Sequence, residues 1–380
     1  MRPLIFMLTL LLHSAALMAQ DNCNDAALLG QIGRWKKVAD VGMRDSKDQA
    51  LAIRYLDSFS RFFQAMFPIP KGMEPAWYRS MNDPTFPGNP QPYTFNSIYY
   101  PWYCNKDMHK MMLSGETGTW AFVYVNFLNP FLTEQYDRIK LNPDETPIYL
   151  LPLRKGSWKG YDLYTPSTAR QQGSCIVISQ GGLPWKPVSQ ETYLQYVRRF
   201  LQSQQKEQDA SLAKSKEDAR KQIEHIQNSP NLSPESKQTM LNALQKQQEQ
   251  QQQTAASSRA AYINYFDQQL KTVDDYLAKT SPSVLQQPAF IPKYSKSIFD
   301  GNFSSEAAGG RMVVTANPDY TDHQLSSCRP QFMILFWKWE KDAPSQNFKQ
   351  QFESDFPVEK LQAMLGDVAG KNNHPSKNTK

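Results

Sequence analysis

The sequence predicts an α+β fold: a mixed or antiparallel sheet body with flanking helices, interrupted by a long inserted antiparallel helical hairpin that forms a coiled-coil-like arm. Three observations carry this expectation. Short segments rich in aromatic and β-branched residues, separated by Gly, Pro and Asn, occur before residue 188 and again after residue 279. Helical periodicity opens and closes the chain. Residues 188–279 contain no glycine, and proline only at a central turn, with a composition dominated by Gln, Lys, Glu and Ala, which are good helix formers.

The chain begins "MRPLIFMLTLLLHSAALMAQDNC". Arg2, the apolar run Leu4 to Leu12, and Ala16 and Ala19 as an A-x-A site read as a secretory signal over residues 1–19. The run is short of the roughly 20 residues a spanning helix needs. A lipid-modified Cys23 would need small residues before it, and Gln20, Asp21 and Asn22 do not fit. No later segment is long and apolar enough to span a bilayer, so the mature chain is expected in the periplasm or the medium. In such an oxidising compartment four cysteines read as two disulfides, with three possible pairings. The expected pairs are Cys23 with Cys104 and Cys175 with Cys328. The formal charge of +6 is spread along the chain and forms no basic stripe, which argues against a nucleic-acid partner.

Residues 20–187 make the first part of the body. "DAALLGQIGRWKKVAD" and "SKDQALAIRYLDSFSRFFQAMF" read as helices. In the second, Leu51, Tyr55, Phe59, Phe62, Phe63 and Met66 share one face, and Pro68 and Pro70 end it. "NDPTFPGNPQP" is loop. "YTFNSIYYPWY", "TWAFVYVNFL", "TPIYLLPLR", "GYDLYTP" and "SCIVISQ" read as strands, and "LRKGSWKGYDLY" as a hairpin turning at Lys155, Gly156 and Ser157.

Residues 188–279 are the arm. Ser189 is an N-cap, Glu191 an acid in the first turn, and Val188 and Tyr193 a hydrophobic staple. Tyr193, Tyr196, Val197, Phe200 and Leu201 form an apolar face. From Gln202 to Gln222 the only large apolar residue is Leu212, and then Ile223 and Ile226 restore the face. "NSPNLSPES" is a turn, and Ser233, Pro234 and Glu235 start a second helix. Met240, Leu241 and Leu244 come first, then a Gln-rich stretch, then Tyr262, Ile263, Phe266, Leu270, Val273 and Leu277. An antiparallel pairing matches root with root, and matches Ile223 and Ile226 with Met240, Leu241 and Leu244 at the tip. Residues 280–366 return to the body, where "QFMILFWKWE" is apolar on both faces and reads as a central strand. Residues 367–380 form a polar tail expected to be disordered.

The search for chemistry returns few constellations. The chain has no G-x-S-x-G, H-E-x-x-H, P-loop or G-x-G-x-x-G pattern, so no cofactor is expected. His323 with Asp319 and Asp322 is either a metal or acid–base group or a polar turn built on Asn-Pro-Asp. Cys104, with His109 five residues on, is either a nucleophile or one half of a bridge; His225 reads as a solvated helix residue. Trp77, Tyr99, Tyr100, Trp102 and Tyr103 crowd large rings near prolines. They could stack on a sugar or grip a peptide, or they could pack the core.

The stretch "GGLPWKPVSQETYL", in which a strand ends in Leu183 to Val188 and a long helix follows, resembles uncharacterised secreted proteins of Bacteroidota-type bacteria. That resemblance implies an envelope location and brings no activity, substrate or catalytic residue. These readings together predict an exported, non-enzymatic protein. Its arm would contact a protein partner or a second copy through Ile223, Ile226, Met240, Leu241 and Leu244. A glycan- or peptide-binding module using the body aromatics, or a hydrolase without a recognisable motif, are the alternatives.

Overall fold

Side chains alternate between the two faces of a strand, and this alternation organises the body. The fold comes from a computed structural model that describes residues 23–43, 49–82, 90–105, 107–108, 110–134, 147–165, 173–292, 298–323 and 325–365. The expected signal segment (residues 1–19), His109 and residues 366–380 lie outside the described residues.

In chain order the elements are α1 (Asp25–Gly30), β1 (Lys36–Lys37), α2 (Gln49–Met66), β2 (Met73–Met81), β3 (Tyr93–Asn105), β4 (Lys110–Leu113), β5 (Trp120–Val125), β6 (Thr133–Glu134), β7 (Ile148–Leu150), β8 (Leu153–Trp158), β9 (Tyr161–Thr165), β10 (Ser174–Ser179) and β11 (Trp185–Pro187). They continue with α3 (Gln190–Asn228), α4 (Pro234–Lys279), α5 (Pro282–Leu285), β12 (Phe290–Ile291), β13 (Arg311–Ala316), a 3₁₀ turn (Pro318–Tyr320), β14 (Phe332–Lys338), α6 (Ala343–Asp355) and α7 (Val358–Gln362). The chain is thus of mixed helix and sheet. The described residues divide into two units. The first takes residues from 1–133, 151–186 and 316–380, and the second from 134–150 and 187–315.

The first unit holds a nine-stranded sheet in the order β1-β2-β3-β5-β14-β10-β9-β8, with β4 on β3. All its pairings are antiparallel except that of β1 with β2. β14 has β5 on one side and β10 on the other, and Phe332 to Trp337 are all buried. The doubly apolar pattern of this strand is explained by that position: neither face nor edge meets water. On one face, Phe95, Tyr99, Val123, Leu335 and Trp337 pack beneath α2 and α6, through Phe59, Phe63, Phe348 and Phe352. The face of α2 predicted from its spacing is therefore the one that covers the sheet.

Two local expectations are corrected. The helix expected over residues 25–40 stops at Gly30. Gln31 ends it, Ile32 bridges to Lys71, and Gly33 lies so close to the Met73 carbonyl that a β-carbon would overlap the oxygen. The chain there serves as an edge partner for β2. The hairpin turn lies at Lys159 and Gly160, not at Lys155 to Ser157. Both turn residues have positive φ (50° and 84°), as a tight hairpin with the twist of its strands requires. Gly156 instead stands at a register shift inside β8.

The cysteines also divide. Cys23 is bridged to Cys104, tying the N-terminal segment to β3 across a sequence separation of 81. Cys175 and Cys328 are both buried and are not joined to each other, which corrects the second expected bridge. The physical reason is strand parity. Ile176 and Ile178 belong to the core beneath α2 and α6, as does Cys328, so Cys175 points to the opposite face of the sheet. Burial pushes the Cys175 thiol far above its usual range.

The sheet edge is clamped by charge. Arg79 donates to Asp40 at 2.9 Å through Nε and 2.5 Å through Nη2, and to Asp57 at 3.1 Å. Burial alone would raise the Asp40 pKa. The side-chain and backbone hydrogen bonds from Arg79, with help from Lys37, outweigh it and hold the carboxyl below its ordinary value. A depressed carboxylate contributes stability at neutral pH that is lost as pH falls through the folded-state value. The Asp40→Asn variant should therefore be less stable by about 1 kcal/mol at neutral pH. That deficit should shrink as pH falls through the folded-state value of Asp40, which lies below the ordinary carboxylate range, as read by thermal unfolding against pH. A thiol titration checks the cysteine assignment. The mature chain unfolded without reductant should show two reactive thiols, and four after reduction.

Candidate interaction surface

The long helices of the second unit are built from their caps inward. Ser189 accepts from the Thr192 amide at 3.2 Å, and Ser233 accepts from the Ser236 amide at 3.1 Å, so each helix starts where a hydroxyl satisfies an orphan N–H. Val188 and Tyr193, the staple residues, are both buried. Tyr193, Leu194, Val197 and Leu201 of α3 share a core with Phe266 and Val273 of α4, together with Ile291, Phe299 and Val313. Tyr196, Phe200, Leu270, Tyr276 and Leu277 pack against it. This core belongs to the second unit alone and ends short of Ile263, which is exposed. The side chain of Tyr262 lies outside the described residues.

Past that point α3 carries mostly charge. Arg220 pairs with Glu217 at 2.9 Å and Glu224 at 3.2 Å, spacings of one helical turn that support the helix without a core. Polar contacts among the described residues join the two helices. Tyr276 donates to Gln190 at 2.9 Å, Arg198 pairs with Asp274 at 2.6 Å, Gln205 donates to Asp267 at 3.1 Å, and Lys237 donates to the Gln227 carbonyl at 2.8 Å. The five residues singled out for the far end keep their apolar character outside any buried core. Met240 is 47% exposed, and Ile223, Ile226, Leu241 and Leu244 are half-buried. His225 is exposed on the same stretch.

The aromatic candidates of the body are not brought together. Strand parity and position along β3 separate them. Trp77 and Tyr99 face the core, where Tyr99 is fully buried against Phe348 with ring centres 4.0 Å apart. Tyr100 is half-buried on the other face, Trp102 is half-buried beside β4, and Tyr103 alone is exposed. The five rings thus serve three different surroundings.

The ordered aromatic feature on the opposite face is one the spacing could have shown. In "TWAFVYV", Trp120, Phe122 and Tyr124 alternate with Ala121, Val123 and Val125, which lie in the core. Trp120 stacks nearly parallel on Phe122 (4.6 Å, 7°) and on Phe336 (5.0 Å, 10°). Trp120 is thus half-buried in a stack with two protein rings. Burial raises the Tyr124 hydroxyl far above its usual pKa, and burial with the neighbouring Tyr100 raises that of Tyr78. This face is a packed ladder of rings.

Asp319 lies in the 3₁₀ turn, and Asp322 and His323 follow it. The turn is anchored by Tyr320, which donates to the Gln331 carbonyl at 2.8 Å, and Asp322 exchanges backbone hydrogen bonds with the Gln331 side chain at 2.8 and 2.9 Å. These contacts make the segment an ordered turn. Among the described residues no group of three His, Cys, Asp or Glu side chains is placed to hold a metal, and no helix is long and apolar enough to cross a membrane. The Cys104 sulfur is committed to its bridge and cannot serve as a nucleophile. No family model, curated protein or solved structure matches the chain.

Core and surface rings should respond differently to truncation. Trp77→Ala should lower stability by about 3–5 kcal/mol in urea unfolding. Tyr103→Ala should change it by less than about 1 kcal/mol.

Proposed function

We propose that this is an exported, non-enzymatic protein whose two long helices pair as an antiparallel hairpin and mediate protein–protein contact in the cell envelope, with a partner or with a second copy. The observation that carries this reading is the uneven burial of the helices. Their root residues lie in the core of their own unit, whereas Met240, Leu241, Leu244, Ile223 and Ile226 lie beyond it and remain open or half-open. A helix of 39 residues is about 58 Å long, several times what the root core uses. Apolar side chains held that far from a core lower their free energy by meeting another apolar surface.

The antiparallel pairing is supported by the order of contacts between the helices. As the α3 partner advances through Gln190, Arg198, Gln205 and Gln227, the α4 partner recedes through Tyr276, Asp274, Asp267 and Lys237. Export is supported by the signal-like residues 1–19 and by the Cys23–Cys104 bridge, which suits an oxidising compartment.

A Met240→Lys, Leu244→Lys variant is the direct test. Both positions are outside the core, so its circular dichroism and melting temperature should match those of the parent. Its mass by light scattering should fall if the native protein self-associates. If the native protein is a monomer, a photo-crosslinker at Asn242 should capture one envelope protein in the parent and none in the variant. Unchanged mass together with unchanged cross-linking would overturn the proposal.

A further inference from the structure

Buried polar atoms in native proteins almost always have a hydrogen-bond partner, from protein or from ordered water. Among the described residues of the first unit several buried polar atoms depart from this rule, and five of them lie on or over one face of the sheet. Ser97 Oγ, Tyr99 Oη, Trp337 Nε1, Trp339 Nε1 and Asn347 Nδ2 are all shielded from solvent and find no partner among the protein groups. Four of them sit in adjacent rows on one face of the sheet. Ser97 pairs with Ala121, and Ala121 pairs with Trp337, so the three form a single row across β3, β5 and β14. The next row holds Tyr99, whose amide donates to the Thr119 carbonyl at 3.0 Å, and Trp339, two residues past Trp337 on the same side.

The cover over these rows is α6. Phe348 lies 4.0 Å from Tyr99 and 5.1 Å from Trp339, and Phe352 lies 5.4 Å from Trp337 and 5.0 Å from Trp339, between ring centres. Asn347 is on the same helix, one residue from Phe348. Ala121, between Ser97 and Trp337, fills little of its row. Burial raises the pKa of the Tyr99 hydroxyl and Ser97 partly offsets the rise, yet the two hydroxyls do not meet hydrogen-bond geometry.

The chemistry of the set defines what would satisfy it. Two indole N–H groups and the Asn347 Nδ2 group can only donate, and two hydroxyls can donate or accept. No described ion pair belongs to these two rows, so an anion would be held at high cost in this aromatic setting. A small neutral molecule that accepts from the indoles and donates to a hydroxyl fits, and that is water. We propose that the space between β3, β14 and α6 is a built hydration site. One or more ordered waters there join Trp337, Trp339 and Asn347 to Ser97 and Tyr99, and so register α6 on the sheet.

The test has two arms. A crystal structure of the mature chain at about 1.8 Å should show ordered water within about 3.2 Å of the indole nitrogens of Trp337 and Trp339. Tyr99→Phe keeps the ring and removes the hydroxyl. It should lower the melting temperature, because a satisfied hydrogen bond is lost. Indole nitrogens that bond directly to protein atoms, or a dry site with Tyr99→Phe melting higher than the parent, would overturn the proposal. The water positions decide if the two arms differ.

Discussion

The fold of the body depends on one pairing. Ser174 to Ser179 of β10 lie antiparallel to Phe332 to Trp337 of β14, with Ile176 opposite Leu335 and Val177 opposite Ile334. These strands are neighbours in space although the chain between them contains both long helices. Closing so long a loop costs conformational entropy that grows only slowly with length. Burial of a strand on both faces is more than enough to offset it, at roughly 25 cal/mol for each Å² of apolar surface removed from water. Without the β10–β14 pair, β14 would keep β5 alone, and Phe332, Ile334 and Phe336 would lose the face they share with Val177 and Cys175.

That pairing also explains why an insertion is tolerated. Residues 187–315 carry their own core, in which Tyr193 donates to the Ile298 carbonyl and Tyr276 packs edge-on against Phe299. A segment that buries its own apolar faces places no packing demand on the strands before and after it. The second unit can therefore lengthen its helices without disturbing the sheet, a freedom that an interaction device would exploit.

Much of this was legible in the residues. The face of α2, both serine caps and the central position of β14 follow from periodicity and capping chemistry, whereas cysteine count left three pairings open, of which the expected Cys23–Cys104 bridge is present. What escaped reading has a common cause: sequence spacing does not reveal which face of a strand looks inward. Tyr99 and Tyr100 are adjacent in sequence but divided by parity, while Tyr103 shares the parity of Tyr99 and lies past the core, where β3 pairs with β4. Cys175 and Cys328 are kept apart by the same rule. The Lys159–Gly160 turn was missed because "KG" occurs twice in "LRKGSWKGYDLY", at Lys155–Gly156 and at Lys159–Gly160, and only the second has the backbone for a two-residue hairpin. The polar atoms gathered under α6 had no sequence signal, because their grouping exists only across strands.

The central claim is that α3 and α4 run side by side along their polar middle, beyond any core. Spin labels at Lys214→Cys and Ser258→Cys test it most directly by pulsed electron resonance, since the native thiols are bridged or buried. Paired helices lie about 8–10 Å apart between axes, so with label linkers the distance should be about 10–25 Å. A distance clearly above about 30 Å, as for helices that diverge past Gln205 and Asp267 at about 1.5 Å per residue, would contradict the account.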